Sequence, residues 1–313
     1  MTSKSWFTGL VPAVFTPMHA DGSLNLAQVK SIVEHLVRDR VGALFVCGST
    51  GEGVSLSSEE RRAVADGYVT AAAGQVPVIV HVGHNSLAEA RELAAHAQSI
   101  GANAIAATPP AYFKPDSLET LVLCMEQIAV GAPALPFYYY HIPRRTGVDL
   151  DMAEFLKLGS ERIPTLAGIK YGASAVDKFQ ACVNLAKDRF NMLFGVDEML
   201  LSGLVVGAHG AVGSTYNFAA PLYQHIIVAH QRGEMEKAKH YQGLAVRMVS
   251  SILKYGVQPG VKAMMKLIGI DCGPNRLPLR ALTREQITAL HKDMEAVGFF
   301  GWVQSGFSAS SLR

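Results

Sequence analysis

Eight short apolar runs, each followed by a longer segment of helical period, occupy the chain as far as residue 231. The runs are 10–15, 43–47, 76–81, 104–107, 135–140, 166–170, 192–194 and 210–212. The helical segments fall at 26–38, 58–72, 87–100, 117–130, 151–158, 175–187, 197–206 and 218–231. The runs lack polar alternation and are rich in Val, Ile and Ala, the pattern of parallel strands covered on both faces. Ser57, Ser58, Glu59 and Glu60 mark a helix start, where hydroxyls and carboxylates satisfy free backbone N–H groups. Strand–helix units in unbroken succession favour a closed barrel over an open doubly wound sheet. The order of elements alone permits both. No run is followed by GxGxxG, the phosphate loop of dinucleotide-binding sheets. The expected fold is therefore α/β, a (β/α)8 TIM barrel over residues 1–232 with a C-terminal helical extension over 233–300. The extension reads as helices at 235–254, 257–268 and 283–297, with the irregular stretch 273–278 between the last two. Residues 301–313 are expected to be a tail, and its Ser-rich part, 305–313, to be poorly ordered.

Composition narrows the partners. Charged residues are only 17% of the chain, against roughly 25% in soluble proteins at large. With so little charge to cover the surface, burial of part of it in an oligomer is expected. A net charge of +2 is too small to indicate nucleic acid or an anionic membrane as partner. Cys47, Cys124, Cys182 and Cys272 lie far apart with no CxxC spacing, which reads as reduced thiols in a cytoplasmic protein. No long apolar core precedes Pro12 and Pro17, so no signal peptide is read, and no uncharged apolar run approaches a membrane span.

In such barrels the active site lies at the C-terminal ends of the strands. The fifth run ends in Tyr138, Tyr139 and Tyr140, and the sixth ends in Lys170. A lysine at a strand end is often just a solvated exit residue. Lys170, however, lies between an apolar strand and the small-residue turn after Tyr171, so desolvation would lower its pKa from about 10.4 toward neutrality. An amine so tuned can form a Schiff base with a carbonyl substrate. Tyr138 and Tyr140 share one strand face and Tyr139 the other. Tyr140, nearest the mouth, is the proton-relay candidate, while aromatic packing accounts for the others.

The second run is followed by Gly48-Ser49-Thr50-Gly51-Glu52-Gly53, a turn whose backbone N–H groups and hydroxyls suit a carboxylate or phosphate, although many such turns are only turns. Asp197 and Glu198 follow the seventh run; they suit polyol hydroxyls or a metal, or are simply an acidic helix start. His81 and His84 form an HxxH, but no HExxH accompanies it, and no metal is expected.

GSTGEG from Gly48, YYYHIP from Tyr138, GIK from Gly168, LFGVDE from Leu193 and VGSTYN from Val212 occur in that order. Together they resemble the N-acetylneuraminate lyase and dihydrodipicolinate synthase superfamily of pyruvate-dependent class I aldolases. HIP, GVDE and VGSTYN look most like the sialic acid lyases, particularly their eukaryotic-type branch. The resemblance spans residues 8–297. It implies that Lys170 forms the imine with C2 of a 2-oxo acid, that Tyr140 shuttles protons, and that Ser49 and Thr50 hold the pyruvate carboxylate. It further implies that Gly195, Asp197, Glu198 and Ser214 face sugar hydroxyls. The family is cofactor-free and usually a homotetramer.

Two positions depart from the sialate lyases. Arg145 stands where those lyases carry an apolar residue, and resembles the synthase arginine that binds the carboxylate of an incoming aldehyde. Gly172 replaces a Ser or Thr that contacts substrate. Tyr112 is similar to the synthase tyrosine that reaches a neighbouring subunit's site, with plain interface packing as the alternative. The expected function is cleavage of N-acetylneuraminate to N-acetylmannosamine and pyruvate. The alternatives are condensation of pyruvate with aspartate semialdehyde or another acidic aldehyde, a sugar-acid dehydratase, and a non-catalytic pyruvate-binding protein.

Overall fold

The computed structural model describes residues 6–187 and 189–304. The apolar runs become the strands β1 (Gly9–Pro12), β2 (Leu44–Val46), β3 (Val78–His81), β4 (Ala104–Ala107), β5 (Phe137–His141), β6 (Leu166–Tyr171), β7 (Asn191–Phe194) and β8 (Gly210–Gly213). All pair in parallel in the order β1-β8-β7-β6-β5-β4-β3-β2. The ring closes between β1 and β2, where Ala13 bridges Phe45 and the Val14 N–H donates to the Phe45 carbonyl at 3.0 Å. Closure leaves no sheet edge to protect, and it settles the choice between barrel and open sheet.

Between the strands run α1 (Val29–Arg38), α2 (Ser58–Ala72), α3 (Leu87–Ser99), α4 (Leu118–Ala129), the single turn α5 (Pro143–Thr146), α6 (Met152–Arg162), α7 (Val176–Ala186), α8 (Leu200–Val205) and α9 (Tyr216–Gln231). Helix α2 starts at a reciprocal cap in which the Glu60 N–H donates to Ser57 Oγ at 3.2 Å and the Ser57 N–H donates to the Glu60 carboxylate at 2.9 Å. Strand parity sorts the core into two compartments. Phe45, Ile79, Tyr138, Tyr140, Leu193 and Val212 fill the barrel interior. Tyr139 points out instead and packs on Phe155 of α6, ring centroids 4.7 Å apart.

Several helices differ from the sequence expectation; α6, for one, runs on to Arg162 where an end at 158 was expected. The segment 197–206 begins as a 3-10 turn, Asp197–Met199, before α8. Helix α9 starts earlier than residue 218 and is kinked at Ala219 (φ −133°) because Pro221 lies inside it. Proline has no N–H and its ring crowds the carbonyl four residues back, that of Asn217. That freed carbonyl lies 2.9 Å from His35 Nε2, so the histidine replaces the missing donor.

After β8 and α9 come α10 (Met235–Leu253), α11 (Val257–Leu267), α12 (Arg284–Ala296) and α13 (Phe299–Gln304). Helix α13 runs past residue 300, where the extension was expected to end. The expected tail at 305–313 lies outside the described residues. Helix α10 packs on α9, and the α10–α11 corner reaches the barrel mouth, where Val249, Leu253 and Gln258 face the same cavity as the strand ends. No helix among the described residues is long and apolar enough to cross a membrane.

Candidate active site

Parallel pairing sets Lys170 on β6 directly beside Tyr140 on β5. Both side chains point into the barrel and both are buried. Two residues earlier, a Cβ on Gly168 would sit 1.9 Å from the Asn191 carbonyl and 3.0 Å from Tyr138, so glycine there leaves room for Tyr138 beneath the lysine. Lys170 Nζ lies 3.8 Å from the ring centroids of both Phe45 and Tyr140. Those faces attract a desolvated ammonium by about 2 kcal/mol or more. Burial works against the charge and wins: it draws the Lys170 pKa down to about 7, although Asp197 pulls the other way. Burial pushes the Tyr140 phenol up to about 12, opposed by hydrogen bonding from Ser49. The site thus presents an amine about half neutral at pH 7 beside a protonated phenol.

Behind Tyr140 stands His81, ring centroids 5.8 Å apart and edge-on. Its Nδ1 is 3.2 Å from the Cys47 carbonyl, and its Nε2 accepts from the Thr108 N–H at 3.2 Å. Those partners require a neutral ring protonated on Nδ1. Burial holds its pKa well below the ordinary histidine range. His84, its HxxH partner, accepts instead from the Ser86 N–H at 2.9 Å, so the two histidines serve separate turns. Among the described residues no group of three or more His, Cys, Asp and Glu gathers as a metal centre would need.

The turn after β2 carries Ser49 and Thr50 to the cavity. Two non-glycine residues at its ends, Cys47 (φ 59°) and Glu52 (φ 54°), hold the left-handed conformation. Opposite, Asp197 is buried under β8. Its Oδ2 accepts from the Thr215 N–H at 2.9 Å and the Thr215 hydroxyl at 2.7 Å. The Tyr223 hydroxyl is also 2.7 Å from Thr215 Oγ1, whose one proton goes to the carboxylate, so Tyr223 donates to it. Burial raises the Asp197 pKa to about 6 against these hydrogen bonds. A Cβ on Gly213 would lie 1.9 Å from Asp197 Oδ1, so the approach of carboxylate to strand requires glycine.

One cavity of about 540 Å³ gathers Lys170, Tyr140, Ser49, Thr50 and Gly172 with Gly195, Asp197, Glu198, Ser214 and Arg145. Its volume suits a small-molecule ligand. A side chain at Gly172 would press on the His141 carbonyl (3.0 Å from a Cβ) and the Tyr140 ring (3.4 Å). Arg145 is exposed on the rim. Tyr112 is not on the wall of this cavity. It is 79% exposed and stands edge-on to Phe113, itself 84% exposed, with ring centroids 5.0 Å apart. Sequence reasoning missed Arg144, Asp149 and Lys178 on the rim and Gln258 from α11. Nothing local marked them; Arg144 sat beside a residue already singled out, while Gln258 comes from a helix far along the chain.

The Dihydrodipicolinate synthetase family model matches residues 6–297. An N-acetylneuraminate lyase from Pongo abelii is 41% identical over 304 residues, covering 96% of this chain and 95% of that one. The solved structure of a Proteus mirabilis N-acetylneuraminate lyase superposes with a TM-score of 0.91 at 38% identity, covering 94% of this chain and 100% of its own. A Ruminococcus gnavus sialic acid aldolase, solved as its catalytic lysine mutant, superposes with a TM-score of 0.91 at 27% identity, covering 98% and 100%. With a family match over nearly its whole length and relatives at this identity, the chain belongs to the dihydrodipicolinate synthetase family.

Proposed function

We propose that this protein is a Schiff-base-forming, pyruvate-dependent aldolase that cleaves N-acetylneuraminate to N-acetylmannosamine and pyruvate. The observation that carries the reading is the pair at the cavity floor, a buried lysine held near neutrality beside a buried phenol. The N-acetylneuraminate lyases among its relatives support the substrate.

In this mechanism Ser49 and Thr50 take the substrate carboxylate, and the neutral Lys170 amine attacks the C2 ketone. The Tyr140 phenol gives its proton to the carbinolamine hydroxyl, which leaves as water and yields the iminium. The phenolate so formed is stabilised by the adjacent positive charge and accepts the proton of the C4 hydroxyl. The C3–C4 bond then breaks, its electrons pass into the enamine, and C4 departs as the aldehyde of N-acetylmannosamine. Protonation at C3 and hydrolysis release pyruvate and restore the amine. Gly195, Asp197, Glu198 and Ser214 hold the sugar hydroxyls, Asp197 with its carboxylate oriented by Thr215. The protein's groups supply all of this chemistry, so no cofactor is assigned.

A second reading has its own observation. Arg145 on the rim offers a planar fork for a carboxylate, which favours condensation of pyruvate with an acidic aldehyde such as aspartate semialdehyde. The deciding experiment is pyruvate release from N-acetylneuraminate, with Lys170→Ala as the blank. Lysine-dependent release establishes the lyase. Absence of release, with pyruvate still trapped on Lys170 by borohydride, moves the assignment to acidic aldehydes. We also place the enzyme in the cytoplasm as a homotetramer; its free cysteines support the first and the exposed Tyr112–Phe113 pair the second.

A further inference from the structure

Two side chains of α11 take hold of the turn that carries Ser49 and Thr50. Gln258 Nε2 donates to the Ser49 carbonyl, and Gln258 itself lines the cavity. One helical turn on, and so on the same face of α11, Lys262 Nζ donates to Glu52 Oε1 at 2.9 Å and to the Pro274 carbonyl at 2.7 Å. The charged pair is almost fully buried, with side-chain exposures of 2% and 1%. Glu52 also accepts from Asn275 Nδ2 and from the Arg276 N–H, each at 2.9 Å. One carboxylate on the turn thus collects three donors from the C-terminal extension, more than 200 residues away in sequence.

The turn needs such support. Its two left-handed non-glycine residues, Cys47 and Glu52, are of a kind that persists only where the surroundings over-determine the backbone. A buried ion pair is a poor source of net stability, but separating its partners leaves a buried charge unpaired, and that cost ties the Glu52 end of the turn to Lys262.

We infer that Gln258 and the Glu52–Lys262 pair are positioning residues for the carboxylate subsite, through which the C-terminal extension sets affinity for the 2-oxo acid without touching the reacting carbon. The inference rests on the reading that Lys170 forms the imine and that Ser49 and Thr50 receive the carboxylate. The role is separable from general support of the fold. A shifted turn loses the carboxylate outright, whereas Lys170 keeps its place on β6 and Tyr140 loses at most its contact with Ser49, so a ketone without a carboxylate should register much less of the change.

The test compares pyruvate with acetone in borohydride trapping on Lys170 of the full chain. Gln258→Met removes the donor at nearly constant length. It should raise the half-saturating pyruvate concentration about tenfold, as expected for losing a well-placed hydrogen bond, with the maximal trapping rate little changed. Half-saturation by acetone should change by no more than about twofold. The double variant Glu52→Gln/Lys262→Met removes the ion pair without leaving a lone buried charge, and should show the same selective loss. Unchanged half-saturation for pyruvate in the folded Gln258 variant would overturn the inference. So would equal losses with both ketones, which would make α11 a support of the fold alone. If wild type trapped neither ketone, the imine reading would fall and this inference with it.

Discussion

At the scale of the residue, the question is what makes one lysine among many a nucleophile. An exposed lysine with a pKa of about 10.4 keeps roughly one amine in a few thousand neutral at pH 7. Burial brings Lys170 to about 7, so close to half of it is neutral there. The sign follows directly: below pH 7 the amine is protonated and each unit lost reduces the nucleophile about tenfold, and above it the supply levels off. Initial rates of pyruvate trapping by cyanoborohydride should therefore rise to about pH 7 and then flatten. A rate still climbing at pH 9 would mean an ordinary, solvated amine. Arg145 makes a second residue-level test. Arg145→Leu should improve cleavage of a neutral-tailed sugar acid and weaken condensation with an acidic aldehyde, the latter on the order of tenfold for a lost charge-assisted contact. Unchanged kinetics with both substrates would show that the guanidinium serves only the surface. Lys170 and Tyr140 could be singled out in the sequence because each closes an apolar run, and strand parity separated Tyr140 from Tyr139. The protonation of His81 could not, because it depends on Cys47 and Thr108, contributed by two other strand ends.

At the scale of the element, alternation of strand and helix was readable because apolar runs and helical period are local properties. Closure was not, since it depends on β1 meeting β2 through Ala13 and Phe45. Nor was the 3-10 turn at Asp197, which the sequence presents as an ordinary acidic helix start. That turn brings the Asp197 carboxylate so near β8 that only glycine fits at 213. Gly213→Ala consequently tests the turn as a unit. The added methyl must displace the carboxylate, whose hydrogen bonds to Thr215 would break. Pyruvate trapping should survive, because Lys170 and Ser49 are untouched. Cleavage of N-acetylneuraminate should fall at least about tenfold if Asp197 orients a sugar hydroxyl through one such bond. Equal retention of both activities would remove Asp197 from the substrate's surroundings.

At the scale of the molecule, low charge content and exposed apolar groups bear on the same issue. Tyr112 and Phe113 stand edge-on to each other in the loop after β4, 79% and 84% exposed, with the backbone N–H of Tyr112 donating to Asn85 Oδ1 at 3.2 Å. The hydrogen bond and the ring contact order the loop while leaving two large apolar faces in water. Aromatic side chains bury about 150–250 Å² each when covered, and such residues dominate interface energetics. A copy of the same chain presenting the same pair is the simplest cover, as in a two-fold interface where one patch meets itself. The prediction is read from molecular mass. Tyr112→Ala/Phe113→Ala should shift the particle to a smaller assembly in sedimentation velocity at micromolar concentration. The barrel should stay folded, because neither ring is packed into its core. Substrate turnover then separates two functions of the pair. If the smaller assembly keeps full activity, the pair serves only assembly; if activity falls beyond what a Phe113→Ala single variant loses, Tyr112 acts in a neighbouring subunit's site. An unchanged mass would show that assembly, where it occurs, uses another face.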